Sequence, residues 1–240
     1  SEWTYNGVPL CVGSGSAGNK CDNKKMVCAG GAKFGSGNKF FPFCIVGEDT
    51  PDLKFKGENT TLEVGQNNTF REFSKVHRGT KAGISSTKIG NNNLIMPGVM
   101  IAHDCILGNN NVLVDNTALA GHVTLKDNIT LGGYTLVHQF CQLGSFSFSG
   151  MGSHITMDIP AFIRVAGNPT KPAGLNSIAL ERNAFSKNEI SNLKKAYKIF
   201  YRDSLRVEDA IQKINNECNL DEHIELFIES IKSSSRGILR

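Results

Sequence analysis

Three histidines in the middle of the chain have the residue type and spacing of a proton-transfer site. They are His103, His122 and His138, which are 19 and 16 positions apart. Imidazole can take a proton from a hydroxyl group near neutral pH, because its ordinary pKa lies close to that value. Asp104 directly follows His103 and could orient the ring and stabilise its protonated form. Adjacent residues of a strand point to opposite faces, so a direct pair requires these two residues to lie at a corner.

An apolar residue recurs at every sixth position around these histidines. Counted in steps of six from Ile89 to Ile155, eleven of the twelve positions are Ile, Leu or Val, and the exception is Ser149. A helix would repeat every three to four residues and a single strand every two, so a period of six requires a short strand followed by a corner. The same phase occurs upstream at Phe34, Phe40, Val46, Val64, Phe70 and Val76.

This period predicts a mainly β solenoid in which three hexads close one coil of about 18 residues. The apolar side chains would meet inside a triangular prism, and successive coils would stack about 4.8 Å apart. On such coils the three histidines lie near one edge and face a common cleft. Two segments, 47–63 and 77–88, interrupt the phase, and loops that leave a regular solenoid usually collect on its working face.

A zinc site is the alternative interpretation of the three histidines. Carbonic anhydrases with this type of solenoid bind zinc through three histidines, the third of which follows closely behind the second. Here Leu143 stands five positions after His138, and the next histidine, His154, is 16 positions after it. We therefore predict no metal and no diffusible cofactor.

From about Ser186 the composition becomes that of helices. Ser186 and Glu189 have the spacing of a capping box. Three apolar stripes at helical spacing predict three helices, and they contain Ile190, Leu193, Tyr197 and Phe200; Val207, Ala210, Ile211 and Ile214; and Ile224, Phe227, Ile228 and Ile231. We divide the chain into an irregular N-terminal segment (1–30), a β-helix domain (31–168), a linker (169–185) and a C-terminal helical domain (186–240).

Composition and charge exclude several classes of protein. No apolar run approaches the roughly 18 residues of a membrane span. The 26 basic and 22 acidic residues give a net charge of only +4, which does not by itself predict nucleic-acid binding. The seven cysteines form no CxxC pair, which argues against a disulfide framework and favours a reducing, cytoplasmic compartment.

Several short segments resemble the hexapeptide-repeat acyltransferases, and among them the UDP-N-acetylglucosamine O-acyltransferase family. They are HRGT at 77–80, IAHDC at 101–105, LAGHV at 119–123, VHQFC at 137–141 and SRGILR at 235–240. The resemblance implies a left-handed parallel β-helix and a homotrimer with its clefts between subunits. It also implies transfer of an (R)-3-hydroxyacyl chain from acyl carrier protein to the 3-hydroxyl of UDP-N-acetylglucosamine, the first step of lipid A biosynthesis.

The resemblance further implies roles for individual residues. His103 is the general base, Asp104 is its partner, and the backbone N–H of Gly121 donates to the oxyanion. Met151 occupies the position that sets acyl-chain length, where glycine leaves a deeper groove, so we predict a preference for a medium-length chain. The substrate-binding positions are Asp52, Lys54, His122, His138, Gln139, Asn176 and Arg182, the last two of which hold the nucleotide.

Some positions depart from the family pattern, and other functions stay open. Met100, Ile178 and Asn183 stand where a histidine or charged residues are frequent, and a linker that caps the helical unit is the alternative for Asn176 and Arg182. The basic residues near the first helix form either a solvated face or a docking patch for an acidic carrier; they are Lys187, Lys194, Lys195, Lys198, Arg202 and Arg206. The alternative functions are an acetyl-CoA-dependent hexapeptide acetyltransferase and a noncatalytic β-helix scaffold.

Overall fold

The computed structural model describes residues 4–5, 8–9, 27–28 and 31–240. Most of the predicted irregular segment 1–30 therefore lies outside the described residues. Within it, β1 (Thr4–Tyr5) pairs antiparallel with β2 (Val8–Pro9), and β3 (Val27–Cys28) belongs to a parallel sheet.

From residue 32 to residue 175 the chain consists of short strands joined by corners and two longer loops. The strands up to the second loop are β4 (Ala32–Phe34), β5 (Lys39–Phe40), β6 (Ile45–Glu48), β7 (Thr61–Val64), β8 (Thr69–Phe70) and β9 (Lys75–His77). The regular coils then contain β10 (Ser86–Ile89), β11 (Leu94–Ile95), β12 (Met100–Ile101), β13 (Ile106–Leu107), β14 (Val112–Leu113), β15 (Ala118–Leu119), β16 (Thr124–Leu125), β17 (Thr130–Leu131) and β18 (Leu136–Val137). The last strands are β19 (Gln142–Leu143), β20 (Phe148–Ser149), β21 (His154–Ile155), β22 (Ile163–Ala166) and β23 (Lys171–Leu175).

These strands form the three faces of a prism, because every third strand of the regular coils returns to the same side. Sheet I contains β4, β7, β10, β13, β16 and β19; sheet II contains β5, β8, β11, β14, β17, β20 and β22, with β23 antiparallel at its end; sheet III contains β3, β6, β9, β12, β15, β18 and β21. In sheet I, Lys88 lies opposite Ile106 and Ile106 lies opposite Thr124. One regular coil therefore takes 18 residues, which confirms the prediction.

The predicted apolar positions form the core of the prism. Ile95, Leu113 and Leu131 follow one another on sheet II and are fully buried. Ser149, the exception in the apolar series, is buried as well, and its Oγ lies 2.8 Å from Oγ1 of Thr135. The serine is tolerated because its hydroxyl is paired inside the core.

A ladder of buried asparagines lines the corner between sheets I and II. The side-chain amide of Asn93 donates to Asn68 Oδ1 at 2.9 Å and to the carbonyl of Gly108 at 3.0 Å. Its own Oδ1 accepts from the backbone N–H of Asn111 at 2.8 Å. Each amide thus joins adjacent coils, which explains why polar side chains are stable at buried positions here.

The two longer loops leave the solenoid at one corner. Residues 49–60 follow β6 and residues 78–85 follow β9, so both loops begin where sheet III ends and reach sheet I. His103, which comes two residues after β12, lies at the same corner. Both interruptions of the hexad phase therefore lie at the corner that carries His103.

Residues 169–185, predicted as a linker, contain a strand and a short helix. Strand β23 extends sheet II, and α1 (Ser177–Arg182) follows directly. The backbone N–H of Asn176 donates to the carbonyl of Phe162 at 2.8 Å, so this segment is fastened to the last coil.

The C-terminal unit contains α2 (Lys187–Arg202), α3 (Val207–Glu217) and α4 (Glu222–Lys232), at the places predicted from the apolar stripes. The capping box of Ser186 and Glu189 is present. The unit is joined to the solenoid through the buried carboxylate of Asp158, which accepts from Ser234 Oγ at 2.7 Å and from the backbone N–H of Arg236 at 3.0 Å. Among the described residues, no helix has both the length and the apolar character needed to cross a membrane.

Candidate active site

The corner between sheets III and I places catalytic residue types from successive coils side by side. Ile101, Leu119 and Val137 lie opposite one another at the ends of their strands. Two positions after these three residues come His103, Gly121 and Gln139, respectively. Three positions after them come Asp104, His122 and Phe140. These last three have φ values of 58°, 63° and 67°, so each coil turns sharply here. The corner that a direct pair between His103 and Asp104 requires is therefore present.

Asp104 is fully enclosed and held by several hydrogen-bond donors. Its carboxylate accepts from Thr80 Oγ1 at 2.7 Å, from the backbone N–H of Thr80 at 3.0 Å, from that of Ile84 at 2.9 Å and from His103 Nδ1 at 2.8 Å. Burial favours the neutral acid, but the hydrogen bonds from Thr80 and His103 outweigh it and lower the pKa of Asp104. The residue is therefore a carboxylate at neutral pH.

This arrangement determines which nitrogen of His103 can act as a base. An ionised carboxylate only accepts hydrogen bonds, so Nδ1 carries the proton that is shared with Asp104. Nε2 is left with a free lone pair and faces the loop of residues 49–60, where Asp52 Oδ2 lies 3.7 Å away. The His103 side chain is 16% exposed, so it remains accessible from the cleft.

Gly121 lies directly against the face of the His103 ring. A Cβ at this position would lie 2.6 Å from His103 Cε1 and 2.8 Å from Nε2, so no other residue fits without moving the base. In the part of the chain that the structure describes, no hydrogen bond uses the backbone N–H of Gly121. This buried amide is available to stabilise negative charge that develops next to His103.

His122 completes the enclosure of His103. Its ring meets that of His103 edge to face, with centroids 5.1 Å apart, and stacks on Phe140 at 4.5 Å. Burial lowers the pKa of His122, although the charge of Asp104 partly opposes this effect. Its imidazole is therefore neutral at physiological pH and can donate or accept a hydrogen bond.

Cys105, next to the pair, is not placed to act as a nucleophile. It is fully buried, and its Sγ donates to the carbonyl of Ala120 at 3.2 Å. Burial raises the pKa of the Cys105 thiol to about 12, so very little thiolate is present at neutral pH. The site has the arrangement of a general base rather than that of a covalent thiol.

The other predicted site residues lie at greater distances from His103. His138 and Gln139 are exposed on the same corner, one coil beyond His122, and Lys54 is exposed on the loop that carries Asp52. Met151 lies at the next corner, between sheets II and III, with 79% of its surface exposed. The structure thus brings Asp52, His103, Asp104, Gly121 and His122 together, with His138, Gln139 and Lys54 around them, whereas Met151 lies at a different corner.

Asn176 and Arg182 line a separate groove of about 890 Å³ between α1 and sheet II. The other lining residues include Arg164, Ile178 and Asn183. The Asn176 side chain is mostly buried and its amide donates to the carbonyl of Phe146 at 2.9 Å, so it also anchors the segment before α1. Arg182 is exposed and free to meet a ligand.

This groove lies on the face of the prism opposite the corner that carries His103. It follows β17, β20 and β22 of sheet II, whereas His103 lies where sheets III and I meet. The packed core separates the two places within one chain. One small ligand cannot contact both from the same copy.

Three residues of the site had no predicted role. Thr80 and Ile84 hold Asp104 through the loop of residues 78–85, and Phe140 supports His122. Thr80 stood in the HRGT segment that resembled the family. The interruption of the hexad phase at 77–88 was the only sign of Ile84, because the period indicates that a loop is present but not where it folds back. Phe140 stood in a segment that resembled the family, next to Gln139.

Comparison with known proteins identifies the family. A model described as Udp N-acetylglucosamine O-acyltransferase, domain 2, matches residues 158–239, and one described as bacterial transferase hexapeptide (six repeats) matches residues 86–121. The acyl-(acyl-carrier-protein)-UDP-N-acetylglucosamine O-acyltransferase of Ectopseudomonas mendocina is 48% identical over 203 residues, 85% of this chain and 79% of the relative. That of Stutzerimonas stutzeri is 46% identical over 211 residues, 88% and 82% of the two chains. This chain belongs to the UDP-N-acetylglucosamine O-acyltransferase family.

Solved structures of this O-acyltransferase family share the fold. LpxA from Acinetobacter baumannii matches with a TM-score of 0.87 at 41% identity, over 90% of this chain and 84% of the other. LpxA from Moraxella catarrhalis matches with the same TM-score at 38% identity and the same coverage. The predicted fold, a left-handed parallel β-helix followed by C-terminal helices, is confirmed, and the chain is an acyltransferase of the hexapeptide-repeat type.

Proposed function

We propose that this chain transfers a (R)-3-hydroxyacyl group from acyl carrier protein to the 3-hydroxyl of UDP-N-acetylglucosamine, the first step of lipid A biosynthesis. The relatives are named for an acyl group on acyl carrier protein as donor and for UDP-N-acetylglucosamine as acceptor. The single observation that carries the chemistry is the bond between His103 Nδ1 and the buried carboxylate of Asp104, because it leaves Nε2 as a base in an open cleft. The cysteine usage favours a cytoplasmic location for this reaction.

In the proposed reaction, His103 Nε2 takes the proton of the sugar hydroxyl while the hydroxyl oxygen attacks the thioester carbonyl. Asp104 stabilises the imidazolium that forms, and the N–H of Gly121 donates to the carbonyl oxygen as it becomes negative. The proton then passes from His103 to the leaving thiolate of the carrier. The new ester bond replaces the thioester, so atoms and charge balance without a metal or a diffusible cofactor.

Asp52, Lys54, His122, His138 and Gln139 would surround the sugar and the start of the acyl chain. Asp52 is close to the proton-accepting nitrogen, and its Oδ1 accepts from the backbone N–H of Lys54 at 2.9 Å, which holds the loop in a turn. His138 and Gln139 offer exposed polar groups one coil away. These positions support a sugar bound along the corner.

We propose a homotrimer, because the nucleotide-binding residues and the base lie on opposite sides of one chain. Asn176 and Arg182 line the groove on sheet II, and the core of the prism separates them from His103. If neighbouring copies pack with the groove of one against the corner of the next, a single UDP-N-acetylglucosamine can contact both sets. Cyclic packing of three copies closes such head-to-tail contacts.

Met151 supports a limit on acyl-chain length. It lies beside β21, three coils beyond the β12 strand that leads to His103, which is about 14 Å along the axis at the usual spacing between strands. Met151 lies at a different corner from His103, so an acyl chain attached near the base of one copy would meet Met151 of a neighbouring copy packed against that corner. We propose that the side chain stops a longer chain and selects a medium one.

The basic residues near α2 support docking of an acidic carrier. Lys187, Lys194, Lys198 and Arg202 are all exposed, whereas Lys195 lies 3.8 Å from Glu217. Electrostatic attraction of this kind raises the rate of encounter with a negatively charged protein.

Mass spectrometry of UDP-N-acetylglucosamine incubated with the chain and carrier-bound hydroxyacyl groups of several lengths tests the proposal. We expect one acyl ester per sugar, and no product from acetyl-CoA. Product from acetyl-CoA alone would favour the small-molecule acetyltransferase. Absence of any product, together with unchanged behaviour of a His103→Ala variant, would favour the scaffold.

A further inference from the structure

His103 and His122 form a pair of imidazoles whose geometry is suited to a metal ion as well as to a proton. One ligand atom from each, together with one from Asp104, lie within 4.8 Å of one another. The carboxylate of Asp104 already accepts hydrogen bonds from Thr80, Ile84 and His103. It is therefore better suited to supporting a metal-bound histidine than to binding the metal itself.

The bond between Asp104 and His103 is the support that metal-binding histidines usually have. In metal sites the second ring nitrogen commonly donates to a carboxylate, which fixes the orientation of the ring and makes the coordinating nitrogen more basic. Here Nδ1 of His103 donates to Asp104 at 2.8 Å, and Nε2 faces the cleft. The nitrogen that accepts the proton is thus also positioned as a ligand.

Asp52 supplies a third donor on the open side of His103. Its Oδ2 lies 3.7 Å from Nε2, while its Oδ1 is occupied by the N–H of Lys54. Neighbouring ligands of a tetrahedral zinc with bonds of about 2.0 to 2.1 Å are separated by roughly 3.4 Å. A small shift of the Asp52 side chain brings Oδ2 and Nε2 to this separation, and a ring nitrogen of His122 lies within 4.8 Å of one of His103.

We propose that Zn²⁺ binds in this cleft through His103 Nε2, His122 and Asp52, and that it inhibits the enzyme reversibly. The lone pair of Nε2 cannot bind the metal and accept the hydroxyl proton at the same time. The ion would also occupy the place of the sugar hydroxyl, so inhibition is competitive with the acceptor. Binding does not depend on the function proposed above, but the inhibition does.

Calorimetric titration of the full chain with zinc chloride, free of substrates, tests the binding. We expect one ion per chain, and tetrahedral visible absorption bands when Co²⁺ replaces zinc. Asp104→Asn should weaken zinc about 10- to 100-fold through loss of the support to His103. Asp52→Asn and His122→Asn should each weaken it at least about 10-fold.

His154→Ala is the matched control, because this histidine lies on β21, three coils beyond the β12 strand that leads to His103, and should leave zinc affinity unchanged. Asp52→Asn changes a surface loop, so it keeps the test valid if the His122 variant does not fold. Equal affinity in the wild type and in the Asp52 and Asp104 variants would overturn the site.

Activity measurements then separate this inference from the proposed function. Zinc should raise the KM for UDP-N-acetylglucosamine and leave kcat unchanged, and a chelator should reverse the effect. Activation by zinc would contradict both the inhibition and the metal-free base. If zinc binds as expected but no acyl transfer occurs, the site stands and the function fails; if transfer occurs but zinc does not bind, the site fails and the function stands.

Discussion

The carboxylate of Asp104 holds Nδ1 of His103 at 2.8 Å, from a position where it also accepts hydrogen bonds from the N–H and the hydroxyl of Thr80. The ring of His103 is thereby fixed in one tautomer before any substrate binds. The two residues are adjacent in sequence, and they can meet only because Asp104 has a φ of 58° at the corner of the coil.

Replacement of Asp104 by Asn should lower kcat by about 100-fold or more, with a smaller change in KM. The amide lacks the charge that stabilises the imidazolium, and it can turn its NH₂ toward Nδ1 and favour the wrong tautomer. Steady-state kinetics of both parameters provide the measurement. Asp115→Asn, at an exposed position outside the site, is the control and should retain full activity. A variant of Asp104 with normal kcat would contradict the role of the pair.

Replacement of Gly121 by Ala should inactivate the enzyme more than it destabilises the fold. The new Cβ would lie 2.6 Å from His103 Cε1 and would push the ring away from its position. We expect a loss of activity of about 100-fold and a decrease in the free energy of unfolding of about 1 to 3 kcal/mol.

The control for this change is Gly133→Ala, where the nearest atom to a new Cβ is the carbonyl oxygen of Asp115 at 3.3 Å. It should affect activity much less. Equal losses in the two variants would show that the loss reflects general damage to the solenoid and not the position of the base.

His122 should make the folded chain sensitive to mild acid. Because burial lowers its pKa in the folded state, the unfolded chain binds the proton more readily. The free energy of unfolding should therefore fall as the pH drops below the ordinary imidazole value of about 6.5, and it should be unaffected by this group above that pH. Burial also lowers the pKa of His77, so this residue should change the free energy of unfolding with pH in the same direction.

His122→Asn tests this dependence, because asparagine tolerates the φ of 63° at this corner. Urea unfolding at about pH 8 and about pH 5.5 should give a smaller difference in the variant than in the wild type. Part of the difference should remain, since His77 is unchanged. An undiminished difference would mean that His122 is not the responsible group.

Replacement of Met151 by Gly should shift the preferred acyl chain to a longer one. Methionine adds four heavy atoms over glycine, so its removal should make room for about that many methylenes, each worth roughly 0.8 kcal/mol when buried. Competition between carrier-bound chains of two lengths gives the ratio of kcat/KM directly. Met151→Leu keeps most of the bulk and should keep the medium-chain preference; identical ratios in the Gly variant and the wild type would exclude this position as the determinant.

The period of six, read from the sequence alone, determined the solenoid, its coil of 18 residues and the inward positions such as Leu113. The capping box of Ser186 and the apolar stripe that begins at Ile190 likewise predicted α2. These features depend on residues close together in the chain, because strand, corner and helix geometry repeat over a few positions. The same period predicts that His103 and His122 lie near one edge of the prism.

Only the tertiary structure decided that Thr80 and Ile84 hold Asp104, that Asp52 faces Nε2 of His103, and that the groove with Arg182 lies on the opposite side of the prism. These contacts join residues about 20 to 50 positions apart through loops that interrupt the period. The path of such a loop is set by the donors and acceptors it meets on the folded surface, and a local pattern carries no information about them.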